Sequence, residues 1–298
     1  MPGTRLSRSN RPSRDLKKCS SPTTTTILKR RIRVLRNVYL KTLRDSRKSV
    51  LFYSIGTVAL GLYVTLFYPT IRDATGFTDF LEDLPEVFQA LIGDAETYTT
   101  AEGFLNAEVF SFMGPLIVSV FAIVAGTAAI AGEEESHTLD QLLANPISRT
   151  SVLLQKAGAL LTGLLVLSVA LGIGLVAGSK FAGFDLSITG TAQAIVSLYV
   201  FGATMGLLAL SIGAATGRKG LAGGVSAGVG IVGFLLDTFL SVVEALEPAR
   251  FISVFYYFNS NDVILNGINA AHLLALIGIT GVAVAAAVWQ FGRRDVSV

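Results

Sequence analysis

Charged and polar residues concentrate in one segment between two long apolar runs, residues 132–156, GEEESHTLDQLLANPISRTSVLLQK. Its three consecutive acids, Glu133, Glu134 and Glu135, suit the start of a helix, where the helix dipole is positive. Leucines then recur at i, i+3 and i+4, a spacing that places them on one edge of that helix: Leu139, Leu142 and Leu143. The pattern predicts an ordered element that a soluble partner could bind.

A turn and a second helix follow in the same segment. The residue before a proline avoids the α region, so Asn145-Pro146 ends the first helix. Ser148 can cap the next helix, which runs through Arg149 and Lys156 into the following apolar run. Two interpretations of this corner stay open: its leucines lie on lipid, or they fill a groove on another protein.

The other residues offer no catalytic or metal-binding pattern. Residues 217–220, Gly-Arg-Lys-Gly, lack the G-x-x-x-x-G-K-[ST] spacing of a phosphate loop. One Cys, two His and three Met leave no metal-ligand cluster, and no Ser/His/Asp constellation is present. We therefore expect no catalytic residue, cofactor or metal in this chain, and no nucleic-acid partner. Any energy for its work must come from another subunit.

The composition is that of an integral membrane protein. Hydrophobic residues make up 51% of the chain and charged residues only 15%, whereas soluble domains carry about 25% charged residues. Apolar runs of about 20 residues match helices that cross the bilayer with their backbone polar groups satisfied internally. We predict an all-α membrane protein with six transmembrane spans: Ser49–Pro69, Glu108–Ala131, Ala157–Gly178, Thr191–Ala215, Leu221–Val243 and Ala270–Phe291.

Lys and Arg residues define the orientation of these spans. Residues 1–48 hold 15 of them, and three other segments on the same side, 132–156, 216–220 and the C-terminal tail, hold two each. The opposite side has only Arg72, Lys180 and Arg250. Because the positive side faces the cytoplasm, both termini and residues 132–156 are expected inside a cytoplasmic membrane.

The N-terminal region divides into two parts. Residues 1–26 are rich in Ser, Thr, Arg and Pro, which predicts a disordered basic tail. Residues 27–48 predict an amphipathic interfacial helix, because their apolar residues form one stripe and their cations suit anionic lipid: Leu28, Ile32, Leu35, Tyr39 and Leu43. This helix is either a plain membrane anchor or an elbow that transmits motion to the first span.

Two segments are expected on the outer side. Residues 70–107 are acidic, which favours a solvated face over a site for a cationic ligand. Residues 244–269 contain the aromatic run Phe255 to Phe258, which suits the headgroup level. A re-entrant segment and a plain interfacial loop both fit this second stretch.

Small residues and one acid stand out within the spans. Glycines at four-residue spacing allow close helix approach and predict tight pairing of the fourth and fifth spans: Gly202, Gly206, Gly213, Gly217, Gly224 and Gly228. Asp237 is the one carboxylate well inside a span, about 24 Å along the helix from Leu221. It is either functional or an acid paired near the outer edge.

The segment 132–156 resembles a known signature. Gly132 and the three acids, then Thr138-Leu139, Leu142-Leu143, Pro146 to Arg149, and Lys156 are similar to the "GEEExxTLxxLLxxPISRxxxxxxK" motif of ABC-2-type permeases, especially the NosY-like group. The resemblance extends to span number, orientation and loop lengths over residues 27–298. It leaves residues 1–26 outside.

The resemblance implies how the chain would work. Two permease copies pair, and each binds a separate ATP-binding subunit, which carries ATP and Mg, through the first cytoplasmic loop and the elbow helix. The leucines would insert into the ATPase groove, and polar residues would contact the ATPase or hold the loop: Glu133, Glu134, Glu135, Thr138, Pro146, Ser148, Arg149 and Lys156. The alternatives are an ion-coupled secondary transporter, against which the lack of a convincing inverted repeat counts, and a membrane scaffold.

Overall fold

Nine helices account for the regular structure of the described residues. The computed structural model describes residues 37–74, 83, 85, 95–139, 142, 147–242, 249–259 and 263–293. In chain order the helices are α1 (Val38–Arg72), α2 (Ala95–Tyr98), α3 (Ala101–Glu135), α4 (Arg149–Ala182), α5 (Ile188–Thr216), α6 (Lys219–Val242), α7 (Val254–Asn259), α8 (Val263–Asn266) and α9 (Ala270–Arg293).

Six of these helices, α1, α3, α4, α5, α6 and α9, are long and apolar enough to cross a membrane. This confirms the predicted all-α fold with six spans. We call the end of the bundle at residues 132–148 the loop end and the opposite end the far end. α1, α4 and α6 begin at the loop end, and α3, α5 and α9 finish there.

The helix of the first span begins before the predicted span. Val38–Arg72 is one continuous helix of 35 residues, capped by the Asn37 side chain, which accepts a hydrogen bond from Leu40 N at 3.2 Å. Residues 38–48 therefore belong to the same helix as the span from Ser49, and the membrane boundary at residues 48 and 49 stays a prediction. No glycine or proline interrupts that stretch. Residues 1–36, with Leu28, Ile32 and Leu35, lie outside the described residues.

The first turns of α1 pack on α4. Tyr39 Oη shares a hydrogen bond with Thr162 Oγ1 at 2.9 Å, and Tyr39 N donates to Gln155 Oε1 at 3.2 Å. Leu43 is half-buried. Tyr39 was expected on a lipid-facing stripe, and the structure instead places its ring against another helix.

The bounds of the loops also differ from the predicted ones, because polar residues at the ends of the spans extend the helices. Residues 132–135 belong to α3 and 149–156 to α4, so both ends of the predicted loop 132–156 are helical. At the far end, 70–72 and 101–107 are helical, which shortens the predicted loop 70–107. Most of its acidic part, 75–94, lies outside the described residues.

Two stretches of α3 are wound as π-helix, Asn106–Met113 and Ala128–Gly132. A π turn is wider than an α turn and leaves backbone carbonyls without their usual partners. The first stretch precedes Pro115, which has no N–H to donate. The second leads directly into Glu133, and its freed carbonyl becomes part of the site described below.

Glycines allow the backbones of α1 and α4 to approach closely. A Cβ added at Gly61 would lie 2.8 Å from Leu175 N, and one added at Gly174 would lie 2.6 Å from Val58 O. Backbones that approach this closely exclude any side chain larger than hydrogen. The first and third spans are therefore joined along their length.

The predicted glycine pairing of the fourth and fifth spans is wrong in most positions. Gly202 and Gly206 face Val118 and Ala122 of α3 and leucines of α4, and only Gly213 lies between α3 and α6. Gly217 ends α5 with φ of 68°, a left-handed conformation that favours glycine. Nothing lies within 4 Å of a Cβ at two further positions: Gly224 and Gly228.

The far end is closed by α7 and α8, which dip into the bundle. Phe255 and Phe258 contact Phe201, with ring centroids 4.8 Å apart in both pairs, near the middle of α5. The carbonyl of Ile264 lies beside Gly190, at the start of the same helix. The segment 250–268 thus enters between the spans and returns, which supports the re-entrant interpretation over a plain loop within 244–269.

An aromatic and acidic contact joins α2 to α3 at the far end. Tyr98 Oη donates to Glu108 Oε1 at 2.7 Å, and Tyr68 Oη donates to Thr99 O at 3.0 Å. Burial and the hydrogen bond to Glu108 raise the pKa of Tyr98 above its ordinary value. Tyr98 therefore keeps its proton, and with it the hydrogen bond, well into the alkaline range.

Close packing of α1 on α4 can be tested with a matched pair of glycines in α1. Gly61→Ala places a Cβ against the α4 backbone and is expected to lower the free energy of unfolding by about 1–3 kcal/mol. Gly56→Ala meets nothing within 4 Å and is expected to be neutral or stabilising by up to about 1 kcal/mol. Thermal unfolding of the detergent-purified chain measures both, and equal shifts would contradict the packing.

Candidate functional site

A buried ion pair lies at the loop end between α3 and α4. Lys156 Nζ is 2.6 Å from Glu133 Oε2, and the Lys156 side chain is only 1% exposed. Lys41 Nζ of α1 lies 4.0 Å from the other carboxylate oxygen of Glu133. A cation taken out of water needs such an anionic partner. Three spans, α1, α3 and α4, therefore meet at one glutamate.

The π turn before Glu133 supplies the second acceptor for Lys156. Lys156 Nζ donates to Ala129 O, which lies in the π stretch Ala128–Gly132. A lysine ammonium has three donors on a flexible stem, so it can bind a carboxylate and a carbonyl together. The irregular winding of α3 and the buried charge of α4 thus stabilise each other.

Glu135 connects the same segment to α6. Its Oε1 accepts a hydrogen bond from the backbone N of Lys219 at 2.8 Å. Lys219 is the first residue of α6, where N–H groups lack helical partners and the dipole favours an anion. The third acid of the series is therefore an N-terminal cap for a different span. Glu134, between the two, is half-buried.

Arg149 connects the start of α4 to the end of α9. Its Nη1 donates to Phe291 O at 3.3 Å, and its guanidinium lies 6.0 Å from the centre of the Phe291 ring. The last carbonyls of a helix lack partners, and a cation suits that end of the dipole. The predicted polar residues thus contact the ends of other spans of the same chain.

The corner itself is held by local hydrogen bonds. Thr138 N donates to Glu133 O at 2.9 Å, and His137 takes a φ of 53° between them. Ser148 caps α4 as predicted, accepting from Ser151 N at 3.2 Å. Six of the described residues here are exposed: Glu135, Ser136, His137, Thr138, Ser148 and Thr150.

The leucines of the corner differ from expectation. Leu139 is 0% exposed and Leu142 is 4% exposed, and both belong to the hydrophobic core of the chain. In this structure they hold the corner against the spans instead of projecting toward a partner's groove or lipid. The spacing i, i+3 identified an apolar edge correctly, but it does not say which surface covers that edge. Leu143 and Pro146 lie outside the described residues.

Asp237, the predicted intramembrane acid, is paired at the far end. Its Oδ1 accepts from Arg250 Nη2 at 2.9 Å and from Nε at 3.0 Å, and its side chain is 5% exposed. Arg250 also lies 5.6 Å from the centre of the Tyr256 ring. The pair fastens the re-entrant segment to α6, which favours the interpretation of Asp237 as a helix-paired acid.

Sequence reasoning missed the partners of the site. Lys41 lies in the segment whose cations were expected to suit anionic lipid, and the Ala129 carbonyl and the Lys219 amide carry no side-chain signal at all. Only the position of Lys156, directly before a long apolar run, could have indicated a cation in need of an acid.

The fold and site define a multi-pass membrane protein whose loop-end acids and cations join its spans. The family model described as "ABC-2 family transporter protein" matches residues 36–296, so the chain belongs to that family. Membership makes it the transport component of an ATP-driven system and implies an ABC ATP-binding partner. A comparison with curated proteins gives no match. The NosY-like subgroup stays a prediction.

The buried pair can be tested by removing one or both charges. Lys156→Met leaves Glu133 without its cation and is expected to lower the free energy of unfolding by about 3 kcal/mol. The double variant Glu133→Gln/Lys156→Met is expected to be more stable than Lys156→Met alone. Thermal unfolding in detergent measures both.

A matched control lies on the same helix. Lys180 pairs with Asp185 at 3.0 Å, but its side chain is 65% exposed. Lys180→Met is therefore expected to change stability by at most about 1 kcal/mol. If Lys156→Met were as mild as Lys180→Met, the buried pair would not hold the loop end together.

Proposed function

We propose that this chain is the permease subunit of an ATP-binding cassette transporter in a cytoplasmic membrane. It moves a substrate across the membrane with ATP that a separate subunit binds, together with Mg, and hydrolyses. Family membership and six spans support the permease role. The proposed mechanism depends on the loop end, because one short segment there contacts the ends of most spans.

The loop end is proposed to face the cytoplasm. Most of the Lys and Arg residues in the described part of the chain lie at the loop end: Lys41, Arg44, Arg47, Lys48, Arg149, Lys156, Arg218, Lys219 and Arg293. The far end has Arg72, Lys180 and Arg250. Both termini would then lie on the cytoplasmic side, where an ATP-binding subunit has access to the corner.

The ATP-binding subunit is proposed to bind the exposed corner around His137 and Thr150. The buried leucines Leu139 and Leu142 would hold the corner rigid, so that force on its surface reaches the spans. Glu133 passes that force to α1 and α4, Glu135 to α6, and Arg149 to α9. A rigid element with several fixed contacts can move several helices together.

A second copy of the chain is proposed to complete the transport path. α6 and α9 bury few of their residues within the chain, and the apolar side chains Ile231, Leu235 and Val282 are exposed. Gly224 and Gly228 leave a flat strip on α6. Small residues on an open helix face allow close approach of another helix. Substrate would pass between the two copies.

The docking proposal is tested by site-specific photo-crosslinking in native membranes. A photoreactive residue at exposed Thr150, in the first turn of α4, is expected to capture an ATP-binding protein. The same residue at Phe181, which is 79% exposed at the far end of α4, is the control and is expected to capture none. Crosslinking to lipid alone from Thr150, or to the same partner protein from both positions, would contradict the docking proposal.

The role of Glu135 in coupling gives a second test. Glu135→Ala removes an exposed helix cap, so stability is expected to fall by only about 1 kcal/mol. With spin labels at Thr150 and Ile231, the distance between corner and α6 is expected to change on ATP binding to the complex in the wild type. In Glu135→Ala that change is expected to be lost.

The matched control for this test is Asp185→Ala, which removes an exposed acid at the far end. It is expected to leave the nucleotide-dependent distance change intact. An unchanged response in Glu135→Ala would show that α6 moves by another route.

A further inference from the structure

A partly enclosed cavity of about 290 Å³ lies between α1, α3 and α4 near the loop end. Its α1 side is polar and includes Thr42, Asp45, Ser46 and Ser49. Glu133 and Lys156 also line it, while Tyr53, Phe121 and Val124 form an apolar wall. Of this lining, the contacts between the spans described above use Glu133, Lys156 and Ala129.

The cavity has a surplus of negative charge. Lys156 is already paired with Glu133. Asp45 also lines the cavity, is exposed, and has no Lys or Arg within 4.0 Å among the described residues. Lys41, the other nearby cation, lies next to Glu133. Two carboxylates therefore face one buried ammonium, a balance that favours a cationic group as occupant.

The rest of the lining suits the headgroup of an amphiphile. The rings of Tyr53 and Phe121 pack edge to face with centroids 5.3 Å apart, and aromatic rings attract ammonium groups. The cavity lies at the small end of ligand pockets, which hold about 300–1,000 Å³. It has room for a headgroup and not for a whole lipid. Val124 in the cavity wall and Val120 beyond it, one turn closer to the middle of α3, are 55% and 44% exposed.

Cations beside the mouth suit a phosphate. On α1, Lys41 lies four residues before Asp45, and Lys48 lies three residues after it. Both lysines are therefore on the same face of the helix as Asp45. An ammonium within the cavity and a phosphate at its mouth would each meet opposite charge. A purely anionic headgroup would place its charge against Asp45, and a bulkier trimethylammonium group would lose the hydrogen bonds that a primary ammonium donates.

We propose that this cavity binds a phospholipid with a primary ammonium headgroup, as in phosphatidylethanolamine. The ammonium donates to Asp45 and to the hydroxyls of α1, the phosphate lies beside Lys41 or Lys48, and an acyl chain follows Val124 and Val120. The site requires only that the loop end lies at a membrane surface, and it does not depend on transport.

Native mass spectrometry of the full chain in detergent tests the proposal. Phosphatidylethanolamine, phosphatidylcholine and phosphatidylglycerol are added separately, and adducts are counted. The ethanolamine lipid is expected to bind at least about tenfold more tightly than the other two. Asp45→Asn and Ser49→Trp, which fills the cavity, are expected to abolish the preference.

Two control variants of α1 keep the outcome interpretable. Leu51→Trp adds the same bulk at a position that is 61% exposed and outside the cavity, and Arg47→Gln removes a nearby exposed charge. Both are expected to keep the preference. Equal binding of all three lipids, or a preference that survives Asp45→Asn, would overturn the proposal. Dodecylamine binding as tightly as the lipid would also overturn it, because the phosphate would then contribute nothing.

Discussion

A lysine buried inside a membrane-spanning bundle constrains everything around it. Lys156 has almost no contact with solvent, so its charge requires the carboxylate of Glu133 and the carbonyl of Ala129. That requirement fixes where α3 must end, how its last turns are wound, and how close α4 must lie. The neighbouring residues Glu135 and Arg149 then extend the same arrangement to α6 and α9. In the described part of the corner, Glu133, Glu135 and Arg149, the Ser148 cap and the buried Leu139 and Leu142 all have partners in the chain.

The two ends of the bundle are held together by different contacts. At the loop end, the ionic contacts connect helices that are distant in sequence and leave a small exposed corner. At the far end, Asp237 and Arg250 fasten a re-entrant segment whose phenylalanines reach the middle of α5. The α1–α4 pair, joined by close glycine contacts, runs between both ends as one unit. A movement at the corner would therefore have a continuous packed route through the membrane, whereas α6 and α9 bury few of their residues within the chain.

The sequence predicted the elements that depend on local chemistry and missed those that depend on partners. Six spans followed from apolar length, and the Ser148 cap followed from its position before a helix. The helix of the first span extends back to Val38, before the predicted start at Ser49, because polar residues can continue a helix beyond the lipid. The assignment of Gly202 and Gly206 to α6 failed because four-residue spacing marks a flat face and not its neighbour. Leu139 and Leu142 were read as a docking edge, yet the chain's own core covers them. For Glu133 and Glu135, the motif located the site, and only the structure shows which spans each acid contacts.

The central claim is that α1, α3 and α4 move as one body at the loop end because Glu133 of α3, paired with Lys156 of α4 and next to Lys41 of α1, joins them. The most direct measurement is a pair of cryo-EM structures of the chain with its ATP-binding subunit, one without nucleotide and one with ATP bound. The account predicts that the corner shifts while the Glu133–Lys156 contact stays within ion-pairing distance in both states. A pair that separates while the corner moves would contradict it.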